Sequence, residues 1–179
     1  MVKINIFDVA FSHLSCSCHD NTSKHIEWIR SETDVVSDVA FYTDSSLHKV
    51  GLHNYKFKKN IAWLIEPPSI SPESYEYVKQ NADSFDFILT HQQDIINEFE
   101  GKALFAPLGG CWIHKEDRKL YEKTKFCSII ASDKKATYGH RLRHEVIEKL
   151  AGKYGIDVYG RGYNPLDYIL PAYKDYAFH

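Results

Sequence analysis

Short apolar runs alternate along the chain with stretches whose apolar positions recur at helical spacing. VKINIFDVAF, DVAFYTD, KNIAWLIE, FDFILT and ALFAP have the length and alternation of strands. HIEWIR is short enough to be a helical or an extended piece, and SCSCHDNTSK reads as a loop. SPESYEYVKQNA reads as a helix, with Ser71 at the N-cap, Pro72 at the first helical position and Glu73 in the acid-favouring first turn. Thr90 and Gln93 have capping-box spacing, which predicts a helix over HQQDIINEF that Gly101 ends.

The pattern breaks at LGGCWIHKEDRKLYEKT, which contains glycine and is then charged. A linker is expected over 108–125, dividing a first domain, 1–107, from a second, 126–179. Beyond it FCSIIAS predicts a strand, HRLRHEVIEKL a helix and IDVYG a strand. In that helix Leu142, Val146 and Leu150 repeat at four-residue spacing with Ile147 beside them, a core-facing stripe, and Gly152 is the expected C-terminal stop. Strands alternating with helices predict α/β with a mostly parallel sheet. The second unit holds about one βαβ and a Tyr-rich tail, too little to close a doubly wound sheet.

Composition narrows the function class. Net charge is −2, so no overall basic field favours nucleic acid or an anionic membrane. No stretch approaches the ~18 apolar residues of a membrane span, and MVKINIFDVAF reads as a first strand rather than a signal peptide. Four cysteines, Cys16, Cys18, Cys111 and Cys127, have no framework spacing, which predicts reduced thiols and a cytoplasmic setting. Aromatic residues reach 14%, compatible with packing and with stacking on bases or sugar rings.

Three stretches carry candidate chemistry. Glu66 closes the apolar run IAWLI and is followed by Pro67 and Pro68, which stiffen the turn after it. Ligands of open α/β sheets sit at the carboxyl ends of strands, so this carboxylate can take a proton from a hydroxyl or orient it. The plainer reading is a strand end in solvent or a cap on the next turn. In IIASDKKATYGHRLRHEVIEKL a helix opens near Gly139 with His140, Arg141 and Arg143 in its first turn. Cations there oppose the helix dipole, and a bound phosphate would explain them. The alternative is that Arg143 pairs with a carboxylate and Arg141 is solvated. In VYGRGYNP, Gly160 and Gly162 bracket Arg161 after a strand. Two glycines permit close approach to a ligand, though a simple tight turn is the stronger reading of this motif alone, and the third glycine and helix of a dinucleotide fingerprint are missing. Cys16, Cys18 and His19, or Cys111 and His114, lack zinc-site spacing, and HRLRH lacks the zincin Glu, so no metal is expected. No G-x-S-x-G elbow or phosphate-binding G-x-x-x-x-G-K-[ST] loop occurs.

KTKFCSIIASDKKATYGHRLRHEVIEKL and DVYGRGYNP resemble the fucosyltransferases of glycosyltransferase family 10, in particular the short forms of microbes and viruses. VAFYTDSSL, KNIAWLIEPPSI and FDFILTHQQDII are similar to that family's first domain, and the likeness runs from about Asp38 to Phe178. It implies a GT-B enzyme: a Rossmann-like acceptor-side domain, then a second Rossmann-like unit that binds a GDP-sugar. It implies inverting transfer of fucose to a glycan hydroxyl, with Glu66 as general base. The donor phosphates would be held by Arg141 and Arg143, together with His140 and Ser132. The donor-side loop would be Gly160, Arg161, Gly162 and Tyr163. No cofactor is required, because cationic side chains and a helix start can hold the leaving diphosphate.

The family pattern continues past DYAFH into a Glu-Asn pair and a Thr-Glu-Lys helix start that hold the nucleotide. The chain stops at His179, so the donor domain is expected to be incomplete and its unfinished sheet edge to invite association. Two other readings stay open: a non-catalytic carbohydrate- or nucleotide-binding module, and a GT-B transferase using another nucleotide sugar.

Overall fold

The computed structural model describes residues 1–8, 25–107, 117–122 and 126–163. The chain divides into two compact units, Met1–Cys111 and Trp112–His179, at a point inside the 108–125 stretch.

The first unit is an α/β domain around a six-stranded, wholly parallel, Rossmann-like sheet. Its strands are β1 (Val2–Phe7), β2 (Ile26–Ile29), β3 (Val39–Thr43), β4 (Lys59–Trp63), β5 (Phe87–Thr90) and β6 (Ala103–Phe105). HIEWIR is thus extended, as β2. The spatial order is β2-β1-β3-β4-β5-β6, and every neighbouring pair is parallel. The order reverses between β1 and β3, so the carboxyl ends of those strands form the switch point where such sheets bind ligands.

Helices α1 (Val50–His53), α2 (Pro72–Gln80) and α3 (Gln93–Glu98) follow β3, β4 and β5. The core lies between these elements and the sheet face that carries Ala40, Tyr42, Ala62, Leu64 and Ile88. Tyr75 and Val78 of α2 and Ile95 of α3 bury into it, the latter with Ile96 and Phe99 against it. The opposite face carries Trp28, Phe41 and Trp63, half-buried, with ring centroids 5.1–6.2 Å apart. Asn5 is fully buried in β1; its side chain donates to the Asp34 carbonyl at 2.7 Å and accepts the Val36 amide at 3.0 Å, which ties down the β2–β3 connection.

One local expectation fails. The Thr90–Gln93 capping box does not form, because Thr90 stays in β5 and its hydroxyl accepts the Gln92 amide at 3.1 Å. Gln92 is the N-cap of α3, without a side-chain bond, and Gln93 turns outward to Asn97. Ser71 is the N-cap of α2 with Pro72 at its first position, but its hydroxyl bonds Ser74 and Glu73 rather than a helix amide.

The second unit contains β7 (Ser128–Ile130), α4 (Tyr138–Tyr154) and β8 (Asp157–Tyr159), with β7 and β8 parallel. Gly152 lies inside α4; the stop is Gly155, left-handed at φ 65°, whose amide returns to the Ala151 carbonyl at 3.0 Å. The expected core stripe is shallow. Leu142 is exposed, Val146, Ile147 and Leu150 are half-buried, and α4 buries no residue fully. Two described strands offer too little apolar surface to cover a 17-residue helix.

Candidate functional site

The carboxyl ends of the first unit's strands gather its polar side chains. β4 ends at Trp63, and the Leu64 amide extends the ladder to the Leu89 carbonyl at 2.9 Å. Leu64 and Ile65 are buried and Glu66 emerges half-buried. The loop then turns, with the Ile70 amide on the Pro67 carbonyl at 2.9 Å, and α2 begins.

The backbone around Glu66 is held on both sides. The Ile65 amide donates to Asp44 Oδ1 at 2.9 Å, and the Glu66 amide donates to both Asp44 oxygens at 3.3 Å. On the other side the Tyr75 hydroxyl, from α2, donates to the Glu66 carbonyl at 2.8 Å. Among the described residues, the Glu66 carboxylate itself makes no hydrogen bond or ion pair. A carboxylate on a fixed backbone with its oxygens uncommitted can accept a proton or a substrate hydroxyl.

Asp44, which sequence reasoning missed, opens the turn after β3. It is buried and its backbone is left-handed, φ 34°, a region that Asp tolerates better than most residues. Burial raises its acid to about 6, against the Ile65 and Glu66 amide bonds, with the Glu66 and Glu73 charges adding to the rise. Burial likewise pushes the Tyr75 phenol up to about 12, so it remains a donor at neutral pH. The strand-end rule that singles out Glu66 applies equally to Asp44 in FYTD, and that was the available signal.

At the end of β1, Asp8 Oδ2 accepts from Arg30 at 2.8 and 3.0 Å, while its buried Oδ1 has no partner among the described residues. Ser46 Oγ, in the turn that Asp44 opens, is buried and unpartnered too. Among the described residues no group of three His, Cys, Asp or Glu could hold a metal ion. Cys16, Cys18, His19, Cys111 and His114 lie outside the described residues. A concavity of about 430 Å³, lined by residues including Asn54, Tyr55, Asn60 and Asp86, opens at the amino ends of β4 and β5. It is at the wrong end of the sheet for the chemistry of such folds, so strand-end geometry, not size, selects the Glu66 region.

In the second unit, the loops after β7 and β8 are built against each other. The Ala131 amide donates to the Tyr159 carbonyl at 2.8 Å. A Cβ at Gly160, where φ is 118°, would lie 2.0 Å from the Ala131 oxygen, and one at Gly162 3.1 Å from Asp133 Cβ. The glycines of VYGRGY therefore serve a close approach between two loops of the protein. His144, in α4, fastens the same region: its Nε2 faces the Lys134 carbonyl at 3.1 Å and its Nδ1 faces the Tyr163 hydroxyl at 2.6 Å. A carbonyl only accepts, so Nε2 carries a proton toward it.

The helix start expected near Gly139 is Tyr138, with Thr137 as N-cap. Thr137 Oγ1 accepts the His140 amide at 3.3 Å and His140 Nδ1 accepts the Thr137 amide at 3.1 Å, a reciprocal capping box. Burial, then the Arg143, Lys134 and His144 charges, holds the His140 ring below the usual imidazole range, as an accepting Nδ1 requires. Arg141 folds back onto the Lys135 and Ala136 carbonyls at 3.3 and 3.4 Å. Arg143 is exposed, Ser132 is half-buried just past β7, and Arg161 is exposed in the tight turn closed by the Tyr163 amide on the Gly160 carbonyl at 2.9 Å. Ser132, Arg161 and Tyr163 thus share one end of the two-stranded sheet with the start of α4, whereas His140 is spent on the cap.

Comparison with protein-family models, with curated proteins and with solved structures returns no match.

Proposed function

We propose that the chain acts as an inverting GT-B glycosyltransferase, its first unit on the acceptor side and its second on the donor side. It is fucosyltransferase-like and moves a sugar from a GDP-sugar to a glycan hydroxyl. The observation that carries this is Glu66: a carboxylate at a strand's carboxyl end, uncommitted among the described residues, on a backbone anchored by Asp44 and Tyr75. Glu66 removes the acceptor proton as the hydroxyl attacks the anomeric carbon. On the donor side, the first amides of α4, Arg143 and Ser132 are the groups suited to the leaving diphosphate. Arg141 joins them by exchanging its two loop carbonyls for phosphate oxygens. The donor is GDP-fucose or another nucleotide sugar. The exposed free thiol of Cys127 suits a reducing, cytoplasmic setting, and no helix among the described residues is long and apolar enough to cross a membrane.

One observation favours a second reading, a non-catalytic carbohydrate- or nucleotide-binding module: Arg141 and His140 both serve the protein's own backbone. Incubation with GDP-fucose and a GlcNAc-terminated acceptor separates the two. Turnover supports the transferase; binding of GDP or glycan without turnover supports the module.

A further inference from the structure

We propose that Asp44 is the positioning residue for Glu66: its carboxylate clamps the two amides that begin the Glu66 loop and so fixes where that side chain stands. The inference rests on Glu66 being the base. Asp44 and Ile65 lie 21 positions apart, on the exits of neighbouring strands β3 and β4, so the clamp joins two loops that the sheet alone would leave independent. Asp44 holds it from a left-handed backbone, a conformation with a cost that persists only where the surroundings enforce it. Its side chain takes three amide contacts from two successive residues, and both of its oxygens are engaged.

The clamp places one carboxylate beside another. Glu66 from the following loop and Glu73 from α2 both act on Asp44, as Asp44 acts on Tyr75 of α2. The other titratable groups on elements packed here are His48 and Lys49 of its own turn, the latter paired with Glu32, and His53 of α1. Asp8 at the end of β1 is paired with Arg30. Burial with two like charges nearby makes Asp44 protonate at about 6. A protonated carboxyl turns one acceptor oxygen into a donor, so the clamp loosens in mild acid and the Glu66 amide is released first, its contacts being the longer ones.

The test is the pH dependence of amide resonances in the ¹⁵N-labelled chain. The Ile65 and Glu66 amides should move together through one step near pH 6. Asp44→Asn should abolish that step, while Glu66→Gln should keep it and shift it to lower pH by removing a like charge. Wild-type amides without a common step, a step that survives Asp44→Asn, or one that vanishes in Glu66→Gln would each overturn the clamp. The wild-type titration stands even if a variant fails to fold. In the transfer reaction, Asp44→Asn should lower kcat about tenfold and leave the acceptor KM within about twofold. Failure of the base reading appears separately, as a Glu66→Gln variant that still transfers sugar at the wild-type rate.

Discussion

The Tyr75 hydroxyl donates to the Glu66 carbonyl across nine positions, at 2.8 Å, and fastens α2 to the loop that precedes it. Tyr75 is buried, so its removal leaves a carbonyl short of a partner inside the protein. Tyr75→Phe keeps the ring and removes the hydroxyl, with its bond to the Glu66 carbonyl and its interaction with Thr90. Unfolding in urea should show a loss of about 1 kcal/mol with an unchanged denaturant slope.

The four glycines of the second unit that the structure distinguishes should respond in opposite directions. Gly160→Ala drives a Cβ into the Ala131 carbonyl oxygen at 2.0 Å, and that neighbour is backbone. The substitution should cost more than about 3 kcal/mol or leave this unit unfolded. Gly155→Ala strains the left-handed end of α4 and should cost about 1 kcal/mol. Gly162→Ala, at φ 84° and 3.1 Å from Asp133 Cβ, should fall between them. Gly152→Ala meets nothing within 4 Å in a helix interior and should stabilise by ~0.5–1 kcal/mol. Thermal melts of the four variants check the ranking.

Asp44 gives stability a pH dependence of known sign. Its folded-state acid lies at about 6, above the ordinary 3.8. Between these values the folded chain keeps a proton that the unfolded chain has lost. The contribution of Asp44 is therefore fullest below about pH 4 and declines until about pH 6. Asp44→Asn has no charge to desolvate and tolerates the left-handed turn. The variant should gain on the wild type as pH rises through this window, by on the order of 1 kcal/mol. Melting curves at pH 4 and pH 7 with the same difference would contradict the assignment. A gain in stability alongside a loss in transfer would mark Asp44 as a group kept for its effect on Glu66.

The strands were legible because β3, β4 and β5 are apolar runs bounded by polar turns, and α2 because Pro72 and Glu73 mark its first turn. β2 was ambiguous because four residues are too few to show a period. The strand order, with β1 between β2 and β3, is a matter of crossovers that no local pattern encodes. Gly152 and Gly155 look alike in sequence, and only the second has the left-handed backbone that ends a helix. Glu66 could be found from its position at the end of a strand. Its anchor could not, because the bond from Ile65 to Asp44 spans 21 positions. His140 reads as a phosphate contact until the capping box with Thr137 is seen, since a His at that position is a rare partner in such a box.

The most direct test of the account is transfer from GDP-fucose to a GlcNAc-terminated acceptor by wild type and Glu66→Gln, side by side at saturating donor. Loss of the general base should lower kcat by about 10²–10⁴ while acceptor binding persists. A Glu66→Gln variant as fast as an active wild type would contradict the central claim.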